Sequence, residues 1–130
     1  MEQTINGTIS LRKKEIVEQY INEIEKHVLD LKEGNATTAM EINEFAALLH
    51  IHPVHLSHTI KEVTGKSTCS IYEHRLLSAA KELLLQPGST IAQTARQLTY
   101  DPSNFTKFFK HYTGITPKEF RNRHADRIKS

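Results

Sequence analysis

The sequence predicts an all-α fold of about seven helices, and three observations carry that expectation. Leu, Ile, Ala, Glu and Lys dominate, whereas Gly (5), Pro (4) and Trp (0) are scarce, a balance that favours helix over strand. The chain opens with an amphipathic stripe of helical period. The remainder holds an internal repeat: residues 42–67, shifted by 49 positions, fall on residues 91–116. A length of 130 residues suits one compact domain or two very small ones sharing a linker. The hydrophobic fraction, 38%, is adequate for a core and leaves little room for a buried catalytic cavity.

The first helix is expected from about Ser10 to Lys32. Ile16, Val17, Tyr20, Ile21, Ile24, Val28 and Leu31 form its apolar stripe, with charged residues on the other face. Gly34-Asn35 ends it. Met1 to Ile9 show no pattern and are expected to fray.

In the repeat Ile42 meets Ile91, Ala46 meets Ala95, Leu49 meets Leu98 and Pro53 meets Pro102. Leu56 meets Phe105, Ile60 meets Phe109, Lys61 meets Lys110, and Thr64-Gly65 meets Thr113-Gly114. Solenoids need three or more copies, so two read as a duplicated supersecondary unit. Each copy predicts a short helix (41–49 and 91–97) carrying a small alanine where another helix can approach. A tight break follows, then a second helix with proline in its first turn, where the missing N–H costs nothing. Asp101 is a good N-cap for the later helix and His52 a poor one for the earlier. Gly65 and Gly114 are expected left-handed caps. Helix, tight turn, helix is the helix-turn-helix pattern.

Between the copies, Ser67 to Gln86 predicts one longer helix, stopped by Pro87-Gly88. Thr90 with Gln93, and Thr116 with Glu119, have capping-box spacing, the second opening a final basic helix. The expected organisation is an extension and amphipathic helix over 1–35, a first helix-turn-helix subdomain over 36–66, a linker helix over 67–88, and a second subdomain with the basic C-terminal helix over 89–130.

Net charge is +2, but residues 1–50 carry −4 and residues 51–130 carry +6. That division suggests a polyanionic partner for the C-terminal part alone. The single cysteine excludes an internal disulfide framework and a cysteine-rich zinc module, and fits a reducing cytosol. No apolar run approaches the ~20 residues of a membrane span, and no signal peptide is expected, so the expected localisation is cytoplasmic.

With Leu56 at the centre of the buried face, Ile60 and Val63 join it, while Val54, Ser57, His58 and Lys61 point away. In the second copy Phe105, Phe109 and Tyr112 face inward, and Ser103, Thr106, Lys107 and Lys110 outward. Small polar and basic side chains on a proline-started helix suit a major groove: Lys and His reach phosphates or guanine edges, Ser and Thr reach phosphates or bases, and Val54 a thymine methyl. One such face would more often be plain solvated surface. Two matched copies favour double-stranded DNA.

Ala46…Pro53-x-x-Leu56-Ser57, Thr64-Gly65 and Ala80-Lys81-x-Leu83-Leu84 resemble the AraC/XylS DNA-binding domain. So do Ile91-Ala92-x-x-Ala95, the run Asp101 to Lys110, and Thr113-Gly114-Ile115-Thr116-Pro117-x-x-Phe120-Arg121. The match covers roughly residues 40–123. The resemblance implies a bacterial transcription regulator with seven helices, two helix-turn-helix subdomains joined by a long central helix, and one recognition helix per subdomain. These would enter successive major-groove segments, about one helical turn (~34 Å) apart. The candidate DNA-contacting residues are Val54, His55, Ser57, His58, Lys61, Ser103, Asn104, Thr106, Lys107, Lys110 and Arg121.

The family usually has Gly then an aromatic, and one more residue, in the second turn; Leu98-Thr99-Tyr100-Asp101 is shorter, implying a slightly different angle for the second unit. His58 stands where many members carry a base-reading Arg. Thr68 replaces a frequent proline. There is no room for the effector-binding domain that many members carry, so the short stand-alone type is expected.

His50, His52, His55 and His58 are not read as a zinc site, since no carboxylate or thiol completes the ligand set; they are read as a DNA-facing or pH-sensitive patch, with His50 more simply an exposed residue. Cys69 is read as a small core filler in preference to a redox sensor. The Phe105-Phe108-Phe109-Tyr112 cluster is read as core packing and not as an RNA-stacking platform. No phosphate loop, nucleophile triad or carboxylate pair is present, and neither an enzyme nor a cofactor is expected. The leading reading is a monomer binding a bipartite, non-palindromic duplex site, with the N-terminal helix as the route to a homodimer. The alternative is a protein-interaction module, its acidic first helix docking RNA polymerase and its DNA contacts weak and unspecific.

Overall fold

The computed structural model describes residues 10–129, with side chains described as far as His124; Met1 to Ile9 lie outside the described residues. Among these described residues seven helices follow in order: α1 (Leu11–Glu33), α2 (Ile42–Leu49), α3 (Pro53–Thr64), α4 (Thr68–Leu84), α5 (Ile91–Gln97), α6 (Pro102–Thr113) and α7 (Pro117–Lys129). No strand occurs among the described residues, as expected of an all-α chain. α4 ends two residues before Gln86. There Leu85 N–H donates to the Glu82 carbonyl and Gln86 N–H to that of Leu83, tightening the last turn ahead of Pro87.

The chain gathers into two compact units. One holds the part of α1 up to His27 together with Met40–His74; the other holds Val28–Ala39 and Arg75 onward. In the first unit Ile16, Val17, Tyr20 and Ile24 of α1 are buried, as are Phe45 and Ala46 of α2, Leu56, Thr59 and Ile60 of α3, and Ile71 of α4. Tyr20 and Phe45 meet edge-on, ring centroids 5.3 Å apart. The Tyr20 hydroxyl donates to the Thr68 carbonyl at 2.9 Å, and burial pushes that hydroxyl's pKa well up. His27, absent from the expected apolar stripe, is buried too, stacked on Tyr72 and edge-on to Phe45.

In the second unit Val28 and Leu31 of α1, Leu76, Leu77, Ala79, Ala80, Leu83 and Leu84 of α4, and Ala95 and Leu98 are buried. Phe105, Phe108 and Phe109 of α6 and Phe120 of α7 complete this core. Tyr100 stacks on Phe108 at 4.7 Å and Phe109 meets Phe120 at 5.4 Å, so these aromatics are core packing. Gln97 donates its side-chain amide to the carbonyls of Leu31 and Lys32, satisfying the orphan end of α1. In the Thr90/Gln93 box, Gln93 N–H reaches Thr90 Oγ1 at 3.0 Å. In the Thr116/Glu119 box, Glu119 N–H reaches Thr116 Oγ1 at 3.1 Å. The returning bond from Thr116 N–H holds the Glu119 carboxyl below the usual carboxylate range.

The repeat extends to the backbone of the turns. His50 and Thr99, 49 positions apart, both take left-handed conformations, at φ 58° and 72°. Two residues into each turn the same bond recurs: Ile51 N–H to the Ala46 carbonyl (3.1 Å) and Tyr100 N–H to the Ala95 carbonyl (2.8 Å). Gly65 and Gly114 take the expected left-handed caps, at φ 77° and 82°. Thr99 is the strained member, because a β-branched side chain fits a positive φ poorly. Relief of that strain outweighs glycine's extra backbone entropy, so Thr99→Gly should stabilise the fold by about 1 kcal/mol. The gain is read as a higher urea midpoint, with a smaller one for His50→Gly; a lower midpoint for Thr99→Gly would contradict the strain.

Candidate nucleic-acid interface

The second helix of each copy has its inward face fixed by three side chains: Leu56, Thr59 and Ile60 on α3, and Phe105, Phe108 and Phe109 on α6, all buried. Thr59 and Phe108, equivalent in the repeat, lie outside the set expected inward, while Val63 and Tyr112, expected there, are only half-buried. The inward face is therefore rotated slightly towards the i+3 position. Sequence periodicity points away from Thr59 because it is polar; its neighbours on the wheel decide its burial.

Opposite that face, α3 presents Val54, 55% exposed, with His55, His58 and Lys61 exposed as well. Val54, His58 and Lys61 lie within about 60° of one another around the helix. On α6 the equivalent positions are Ser103, Lys107 and Lys110, all exposed, with exposed Asn104 beside them. Lys107 and Lys110 stand outside the ion pairs of the described residues. Lys61 donates to the Gly65 carbonyl at 3.1 Å, at the end of its own helix. Ser57 and Thr106 are half-buried, and the Thr106 hydroxyl donates to the Pro102 carbonyl at 3.2 Å, one turn back. Arg121 is half-buried, and its guanidinium donates to the Ser89 carbonyl. The candidate residues thus form two matched exposed faces, with Ser57, Thr106 and Arg121 drawn partly into the protein.

Each face begins at a capped helix start. Asp101 caps α6 by accepting from Ser103 N–H. His52 caps α3: its Nδ1 accepts from Val54 N–H at 3.1 Å, so the residue expected to be a poor cap does the work of one. An imidazole can accept there only with Nδ1 bare, which fixes the neutral ring as the Nε2–H tautomer. His50, His52, His55 and His58 are all exposed. Among the described residues no group of three or more His, Cys, Asp or Glu is arranged to hold a metal ion.

Cys69 is exposed, which corrects the core-filler reading. Its thiol lies 3.6 Å from a Glu73 carboxylate oxygen, and desolvation followed by that carboxylate pushes its pKa up, the opposite of a sensor at a helix start.

The fold and the paired faces define a class, and comparison with known proteins gives its family. A family model described as a helix-turn-helix domain matches residues 45–123, and the chain belongs to the AraC/XylS family of helix-turn-helix DNA-binding domains. It is 31% identical over 84 residues to the HTH-type transcriptional regulator YobQ of Bacillus subtilis, covering 64% of this chain and 35% of that protein. It is 33% identical over 87 residues to the arabinose operon regulatory protein of Escherichia coli, covering 66% of this chain and 30% of that protein. The chain spans less than half the length of the curated relatives it matches. Among solved structures it resembles the C-terminal domain of AraT, a response regulator from Geobacillus stearothermophilus, with a TM-score of 0.72, 27% identity, and coverage of 88% and 87% of the two chains. A DNA-binding transcriptional dual regulator from Escherichia coli K-12 shares the fold at a TM-score of 0.73 and 20% identity, with 85% and 93% covered.

Two outcomes follow from the caps and the thiol. His52→Asp, which copies the Asp101 cap and places a carboxylate at the helix start, should stabilise the protein by about 0.5–1 kcal/mol, seen as a raised Tm. Cys69 should be alkylated by iodoacetamide at pH 8 more slowly than free cysteine, and Glu73→Gln should speed the reaction; a rate above that of free cysteine would contradict the raised pKa.

Proposed function

We propose that this chain binds double-stranded DNA in a sequence-specific manner and acts as a transcription regulator. α3 and α6 serve as its two recognition helices, entering successive major-groove segments at a bipartite, non-palindromic site. The observation that supports this best is the duplicated exposed face. Val54, His58 and Lys61 recur as Ser103, Lys107 and Lys110, each on a proline-started helix held by the same left-handed turn. A helix presenting short polar, apolar and basic side chains near its start fits the major groove, where base edges differ and phosphates flank them. Lys107 and Lys110 give α6 the stronger electrostatic grip. The placement of Arg121 favours a positioning role for it, holding the loop at Ser89, over a direct DNA contact.

Selection from random duplexes at several salt concentrations tests the proposal. Specific binding predicts an enriched two-part site and a logarithmic fall of affinity with salt, of slope about 0.9 per phosphate contacted. Binding without any enriched sequence would sink it, in favour of an interaction module whose acidic α1 docks a transcription partner such as RNA polymerase. Lys107→Ala and Lys110→Ala sort the two roles further. A lysine that grips phosphate should, when removed, weaken binding to all sequences evenly and reduce the salt slope by about 1. A lysine that reads a base should, when removed, relax preference at one position of the site.

A further inference from the structure

We propose that His58 is a proton-switched DNA contact, the titratable counterpart in α3 of the permanent cation Lys107 in α6. The inference rests on the DNA-binding reading above and concerns the chemistry of one contact within it. The repeat places His58 on Lys107, Lys61 on Lys110, His55 on Asn104 and His52 on Asp101. Both recognition faces therefore keep the second cation, but at the first cationic position one copy carries lysine and the other imidazole. His58 is exposed and shares the outward arc with Val54 and Lys61, about 40° from Val54 around the helix, so it is available to a phosphate or a guanine edge. Neutral imidazole offers one N–H; protonated imidazole offers two and a positive charge, which is the form that matches lysine at a phosphate. A phosphate held within hydrogen-bonding distance favours that charged form, so binding takes up a proton.

The groups around His58 leave this contact open. On α3 the charged neighbours are Lys61, turned to the Gly65 carbonyl, and Glu62, whose carboxylate pairs at 2.9 Å with Lys13 of α1. From α2, Glu44 is committed to the Glu41 N–H at 2.9 Å. The nearby imidazoles are His50 in the turn, His52 bonded to Val54 N–H, and His55 one turn back. His52 is a poor candidate for the same role, because protonating its Nδ1 would remove the acceptor that caps α3. His55 stands where α6 carries the uncharged Asn104, so the repeat assigns the cationic role to His58.

The test uses the full chain and its selected duplex, with affinity measured at pH 6 and pH 8 and proton uptake measured by calorimetry in two buffers of different ionisation enthalpy. The wild type should bind about tenfold more tightly at pH 6, with a salt slope steeper by about 1, and should take up a fraction of a proton near pH 7. His58→Lys should hold the high affinity at both pH values, and His58→Gln the low one. Lys107→Gln should weaken binding at both pH values and leave the pH response intact. Equal wild-type affinity at the two pH values with no proton uptake overturns the proposal while leaving DNA binding standing, and so does a full pH response retained by His58→Gln. Failure to bind any duplex at either pH overturns both readings. Circular dichroism at pH 6 and pH 8 checks that the fold is the same.

Discussion

The tight turn between the paired helices is the constraint on which each half of this protein depends. A second helix can fold back across a first only if the chain reverses within a few residues, and here the reversal is made by one left-handed residue, His50 or Thr99. The bond that follows, from Ile51 or Tyr100 back to the carbonyl of Ala46 or Ala95, closes the turn and ends the first helix together. It returns to an alanine that is itself buried, so the close approach of the two helices and the geometry of the turn are met at one residue. A larger side chain at Ala46 or Ala95 would separate the helices and would also pull the acceptor from beneath the turn. Everything on the outward face, including which side chains share one arc, is set by the angle at which the second helix leaves this point.

How much of this is legible in the sequence depends on the kind of signal. The helices can be placed from Pro53, Pro102, the Thr-Gly ends and the two capping boxes, because each acts through local backbone chemistry that a sequence displays directly. The turn's handedness is less visible. Neither His50 nor Thr99 advertises a positive φ, which is imposed by the packing of the helices on either side. The second turn nonetheless shares with the first a left-handed residue and the same closing bond. Burial decided by surroundings is illegible for the same reason. Thr59 and His27 are polar by composition but sit among apolar neighbours, and Cys69, apolar by habit, stands in solvent.

The outward faces are legible as faces, because helical period separates them cleanly from the core. What a face does with each side chain is not, since hydrogen bonds to distant carbonyls leave no trace in periodicity. Arg121 belongs to a motif that reads as basic and C-terminal, and its partner at Ser89 lies 32 positions away. His52 looks like an intruder at a cap position because propensity describes average side chains. A bare Nδ1 close to its own backbone behaves as an asparagine oxygen would.

The charge asymmetry of the chain also takes on a physical sense. Lys13 of α1 pairs with Glu62, the one carboxylate of α3, and Lys32 of α1 pairs with Glu82 of α4. Each such partly exposed pair contributes little stability, on the order of a few tenths of a kcal/mol. Its larger effect is on the field. By committing two of its five cations to carboxylates of the basic part, α1 is left with its six carboxylates in excess, and the parts of the chain that carry Lys61, Lys107 and Lys110 are left more basic. A polyanion approaching α3 then meets imidazole and lysine with the nearest carboxylate already neutralised, and α6 carries no carboxylate at all. Two weak ion pairs thereby sharpen the division of charge along the chain, an asymmetry of the kind that steers association with a polyanion.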